Sequence, residues 1–186
     1  MKKLIDFISK PAAYAVLAAL VIFLVIIPDF TQAPIGPNAF KEHAGGNPLI
    51  DMQLNYSTEE VYKLIEAYGE DGRNYYIKMI FALDFIIPLG FMMFILATMN
   101  LILRKAKLEN YMNRLAVIPF AGCISDYMEN ICTTAMVMKY PLRLNGIAAV
   151  SNIFSLSKML FCTAGVLAVF AAMVYLFFNK YRKKIA

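Results

Sequence analysis

The chain has 186 residues, of which 60% are hydrophobic, a mean hydropathy of +0.59 and a formal net charge of +5. Its apolar residues fall in long runs instead of alternating with polar ones, which excludes an ordinary soluble globular domain and points to a membrane protein. The basic residues gather at the ends of those runs, as Lys2, Lys3 and Lys10, then Arg104, Lys105, Lys107 and Arg114, then Lys180, Arg182, Lys183 and Lys184, so no nucleic-acid partner is expected.

Four runs, 12–27, 77–103, 115–138 and 153–178, are long enough to cross a bilayer. They predict an all-α fold: a four-helix transmembrane bundle forming a single membrane domain over 1–186. The spans are expected at about 11–28, 75–103, 113–139 and 148–179, with an extracytoplasmic loop over 29–74. If the helices alternate, the three basic groups share one side. The positive-inside rule makes that side the cytoplasm, with both termini there and a multi-pass location in the cell membrane. The start, Met1-Lys2-Lys3 before an apolar stretch, also has the look of a secretory signal. Pro34 directly after Thr31-Gln32-Ala33 would block cutting there, so an uncleaved first span is expected. Cys123, Cys132 and Cys162 all lie within spans, leaving neither a disulfide framework nor zinc spacing. No metal and no cofactor is expected; Walker, Rossmann and CxxC patterns are absent.

The first span carries no acid, base or amide. Ala12, Ala13, Ala15, Ala18 and Ala19 suit it to close packing as a wall. In the loop that follows, prolines and glycines forbid regular structure until Ser57-Thr58-Glu59-Glu60, a capping box that starts a short helix. Val61, Leu64, Ile65 and Tyr68 give that helix one apolar stripe, and Gly69 is expected to end it. It serves either as a lid over the bundle or as a packed connector.

The second span is interrupted by Asp84. Pro88, four residues on, has no N–H to give the Asp84 carbonyl, so either a coordinating point or a kink satisfied by a neighbouring serine is expected there. The third span holds the densest polar motif: Asp126, Glu129, Asn130 and Thr133 follow i, i+3, i+4, i+7 spacing and share one helix face. In the fourth, Ser151, Ser155, Lys158 and Cys162 share another.

A charge at the bilayer centre costs roughly 2.5–3.5 kcal/mol on insertion scales, so these faces should turn inward. The pattern predicts one polar pocket in the outer half of the bilayer, where Asp84, Asp126 and Glu129 meet Lys158, with Arg73 at the rim. Asp126 and Glu129 are the candidate acid/base or ligand-anchoring pair, and Asp84, Asn130, Lys158, Arg73 and Ser155 the candidate ligand-binding residues. Excess negative charge in low dielectric requires a proton on one acid or a bound cation. A structural ion-pair network that fixes the bundle is the plainer account of the same residues. His43, in a glycine-rich loop, is read as solvated. Ser125 and Ser155 have no histidine in any span, which argues against a Ser-His-Asp nucleophile.

The run Leu83-Asp84-Phe85 with Pro88, the run Asp126-Tyr127-Met128-Glu129-Asn130, and Gly69 through Gly72-Arg73 with Tyr76 resemble a set of small bacterial four-helix integral membrane proteins of no assigned function. The resemblance spans roughly Tyr56 to Lys158 and implies topology without chemistry. The function expected from the residues is binding or processing of a lipidic or amphipathic small molecule, with membrane lipid as the surrounding partner and a homo-oligomer compatible with so small a bundle. The alternatives are a proton- or cation-coupled small transporter and an accessory subunit of a membrane complex.

Overall fold

The computed structural model describes residues 2–26 and 34–185, and among these every regular element is helical. The expected outer end of the first span and the start of the loop, 27–33, lie outside the described residues.

The chain opens with α1 (Lys2–Ile8) and α2 (Pro11–Val21), which continues through a π-helical turn at Ile22–Ile26. The residue before a proline avoids the helical region, and Lys10 is accordingly extended at ψ 143°. The two helices therefore meet at 78°. In α1, Ile5 and Ile8 are buried whereas Leu4 and Phe7 stay exposed.

The segment after residue 33 folds over the outer end of the bundle. It contains α3 (Pro37–His43), a 3-10 turn at Ile50–Met52, and α4 (Thr58–Ala67). The predicted capping box is present. Ser57 Oγ accepts the Glu60 N–H at 3.2 Å while Glu60 Oε2 accepts the Ser57 N–H at 2.7 Å, and this backbone bond, with the Ser57 hydroxyl donating to the same oxygen at 2.7 Å, holds the Glu60 carboxyl below its ordinary range.

Gly69 takes a positive φ of 63°, as a helix-ending glycine does, yet the chain resumes helix at once in α5 (Gly69–Met79). The expected start near residue 75 is thus moved outward, because Tyr76 and Met79 find an outer core to pack into. A π-helical segment at Ile80–Asp84 joins α5 to α6 (Ile87–Ala106), and Lys107 in the left-handed conformation stops it. A 3-10 turn (Glu109–Tyr111) and α7 (Met112–Leu115) lead into α8 (Val117–Lys139), which is followed by α9 (Asn145–Ile185).

Two hydrophobic cores are stacked along the bundle. Phe40, Ile50, Tyr62, Ile65, Tyr76, Met136 and Ala148 belong to the outer one. Ile5, Ile8, Leu17, Leu96, Met99, Leu103, Ala116 and Val169 belong to the inner one. In the outer core α3 crosses α5 so closely that a Cβ on Gly72 would lie 2.9 Å from the Ala44 Cα. Backbone cannot rotate out of the way, so Gly72→Ala should cost about 1–3 kcal/mol, read as a lowered unfolding midpoint in detergent.

Among the described residues two helices are long and apolar enough to cross a membrane, Gly69–Ala106 and Asn145–Asn179, and the bent pair Lys2–Ile8 with Pro11–Leu24 is a third if both limbs form one crossing. α8 is not among them, since Asp126, Glu129 and Asn130 lower its hydropathy. Its burial pattern is nevertheless inverted relative to a water-soluble helix. Val117, Ile124, Met128, Ile131 and Met138 form an exposed apolar stripe, while Ser125, Glu129, Asn130 and Thr133 are buried.

Candidate functional site

The α8 motif is brought against Lys158 of α9. Lys158 Nζ lies 2.5 Å from Glu129 Oε2 but 3.7 Å from Asp126 Oδ1. Glu129 has no exposed surface at all. The Asn130 amide donates to Asp126 Oδ1 at 3.3 Å, and the Thr133 hydroxyl turns back onto the Glu129 and Asn130 carbonyls at 3.1 and 3.2 Å, staying within its own helix. The i, i+3, i+4, i+7 face is therefore one surface with Asp126 at its inner end.

The outer side of this layer comes from a residue that sequence reasoning missed. Asp51, in the 3-10 turn at Ile50–Met52, is carried down beside Asp84. Burial pushes its carboxyl up from the ordinary carboxylate range, and the Lys158 ammonium opposes that shift. The turn is fixed to α9 on the far side: Ser155 Oγ donates to the Gln53 carbonyl at 3.4 Å, and Tyr56 OH donates to Ser151 Oγ at 2.8 Å. Burial pushes the Tyr56 phenol up to about 12, so it remains a donor. The clue in the sequence was Leu49-Ile50-Asp51-Met52, an acid inside an apolar run just after a turn.

Among the described residues, Asp51 Oδ1, Asp84 Oδ2, Asn130 Oδ1 and Glu129 Oε1 of this layer are buried without a protein hydrogen-bond donor, while Glu129 Oε2 is met by the Lys158 ammonium.

Arg73 is not brought to the others. Its guanidinium donates to the Ile65 carbonyl at 3.3 Å and lies 4.5 Å from the centre of the Tyr140 ring, which ties α5 to α4 and to the end of α8. Ser155 faces the Gln53 carbonyl from a fully buried position. His43 is not free in its loop: it lies on α3, 2.8 Å from Asp71 Oδ2 and stacked on Tyr75 with ring centres 4.3 Å apart. At the break around Pro88 the carbonyl taken up by a side chain is that of Phe85, and the donor is the Tyr127 hydroxyl at 2.7 Å, not a serine.

The hollows differ from the single polar pocket that the sequence suggested. One, of about 150 Å³, lies between α6, α8 and α9 and is lined by Ile87, Phe91, Met92, Gly122, Phe161 and Gly165 among others, with Asp126 its only charged side chain. A second, of about 140 Å³, lies under the 3-10 turn, where Leu49, Met79 and Leu83 surround Asp51 and Asp84. Ile87 borders both. A larger hollow, about 630 Å³, is at the opposite end among Lys2, Asp6, Asn100, Arg104 and Glu109, where Asp6 and Arg104 pair at 2.7 Å. Among the described residues no group of His, Cys, Asp and Glu converges as a metal site.

An acid at the head of an apolar hollow, backed by a lysine already committed elsewhere, can anchor a donor-bearing group while the hollow takes an apolar limb. In comparisons with known proteins, no family model, no curated protein and no solved structure matches the chain.

Proposed function

We propose that the chain is a multi-pass membrane protein with four transmembrane segments, both termini cytoplasmic, that binds a lipidic or amphipathic small molecule. The observation that carries the binding reading is Asp126 as the one charged side chain facing the otherwise apolar hollow between α6, α8 and α9. The inverted burial of α8 supports counting it as a span, because a polar face turned inward and an apolar stripe turned outward is what a lipid solvent selects. The basic groups at the helix ends support the orientation.

A transporter would need uncommitted polar side chains in the inner halves of the helices. The two that the sequence offers are engaged: Thr98 Oγ1 lies 3.1 Å from the Tyr14 hydroxyl, and Asn100 donates to Ser9 Oγ at 2.9 Å. Binding is therefore favoured over passage.

Filling the hollow tests the reading. A Cβ on Gly165 would meet Ile95 and Ile118 at ordinary contact distances of 3.7 and 3.9 Å, so a larger side chain enters without a backbone clash. Gly165→Leu should keep or raise the unfolding midpoint, since removing a mid-helix glycine contributes about 0.5–1 kcal/mol. It should also abolish stabilisation by 2-phenylethanol, which on wild type would reach about 2.7 kcal/mol at a hundred times its dissociation constant. The midpoint can be read with a thiol-reactive dye on the three free cysteines. Equal stabilisation of the filled variant would defeat the reading.

A further inference from the structure

We propose that the molecule held at the Asp126 hollow carries a protonated amine, and that Asp126 selects it. The inference rests on the amphipathic-ligand reading above and names the chemistry of the ligand's head.

Four carboxylates, Asp51, Asp84, Asp126 and Glu129, share a layer with one ammonium, Lys158. That ammonium is not evenly shared. It is 2.5 Å from Glu129 and 3.7 Å from Asp126, and Glu129, with no exposed surface, has no access to solvent in its place. A buried carboxylate that lost its partner would be left uncompensated, so Lys158 stays with Glu129 and Asp126 is the less neutralised acid. Asp126 is also the acid that faces the α6–α8–α9 hollow.

The unfilled hydrogen-bonding capacity points the same way. Asn130, only 6% exposed and already bonded to Asp126, keeps its Oδ1 without a donor, whereas Asp51 Oδ1 and Asp84 Oδ2, also without one, border the neighbouring hollow. A buried acceptor left unmade is costly, so the missing partner brings hydrogens, not lone pairs. An anionic head would add to the surplus of negative charge. A neutral hydroxyl would supply one donor and no charge; an ammonium supplies both. An organic ammonium also suits the walls of this hollow, which are apolar apart from Asp126. The hollow's other walls are apolar, and about 150 Å³ is the size of cavity that takes one benzene-like group. The ligand therefore places one ring or a short alkyl limb there, with the amine at Asp126.

The test uses the full chain in phosphatidylcholine nanodiscs at neutral pH and three probes of one shape, phenethylamine, 2-phenylethanol and phenylacetate. The unfolding midpoint is followed as each is titrated. Wild type should be half-saturated by the amine at a concentration about tenfold or more below that needed for the alcohol, the margin of one desolvated charge-assisted hydrogen bond, and phenylacetate should give no shift. Asp126→Asn should bring amine and alcohol together, and Asp126→Glu should restore the gap. Equal binding of amine and alcohol to wild type, or a preference that survives in Asp126→Asn, overturns the charge selection. If the alcohol is then still excluded by Gly165→Leu, the ligand-site reading stands without it; if Gly165→Leu excludes none of the probes, that reading falls as well. The wild-type comparison needs no variant, so poor folding of Asp126→Asn leaves the proposal open to defeat.

Discussion

Lys158→Met should destabilise the protein by about 3–5 kcal/mol, the range seen when one partner of a buried ion pair is removed. The reason is the state of Glu129. It has no exposed surface, Lys158 Nζ sits 2.5 Å from its Oε2, and the next carboxylate, Asp126, also looks toward the same ammonium. Without the lysine, both acids must be protonated or carry uncompensated charge in low dielectric. For a chain of this size the change corresponds to a fall of about 6–20 °C in the unfolding midpoint. The companion variant decides whether charge is the cause. Lys158→Met with Glu129→Gln should recover much of the loss, because the ammonium and its principal carboxylate leave together. A double variant as unstable as the single one would show that Lys158 acts by packing instead.

The second large effect is expected in the outer core. Phe40 has no exposed surface and lies among the rings of Tyr68, Tyr75 and Tyr76, with centres 4.9, 6.4 and 5.9 Å away. Phe40→Ala should cost about 3–5 kcal/mol, as is usual for emptying a fully buried aromatic site. The loss should be local first. Hydrogen exchange should rise across α3, the Ile50–Met52 turn and α4, while α6 keeps its protection. Uniform protection in the variant would mean that the outer core does not hold the turn bearing Asp51 in place.

The helical periods and the inward face of α8 could be read from the sequence because both depend on residues within one helix. Asp126, Glu129, Asn130 and Thr133 are neighbours by spacing alone, and Lys158 was the buried cation expected to meet them, with Arg73 at the rim. What depended on height or on distant chain was not legible. Arg73 shares a helix with Asp84 but stands 11 residues away, about 16 Å along the axis, and the Ile65 carbonyl and the Tyr140 ring hold it there. Asp51 comes from a loop more than thirty residues before Asp84, and only the packing of Ile50 into the outer core brings it down. Gly69 carried the local signal of a helix end, and its positive φ agrees. The next helix begins at that residue because the apolar side of α5 has a core waiting for it.

The rod formed by α5, the π-helical segment and α6 runs for 38 residues, about 57 Å in length, and is gripped near its upper end by the outer core and near its lower end by the inner one. Between the two grips its winding widens, in the π-helical turn at Ile80–Asp84. Asp84 closes that turn, so the widest winding of the rod and the charged layer meet at one residue.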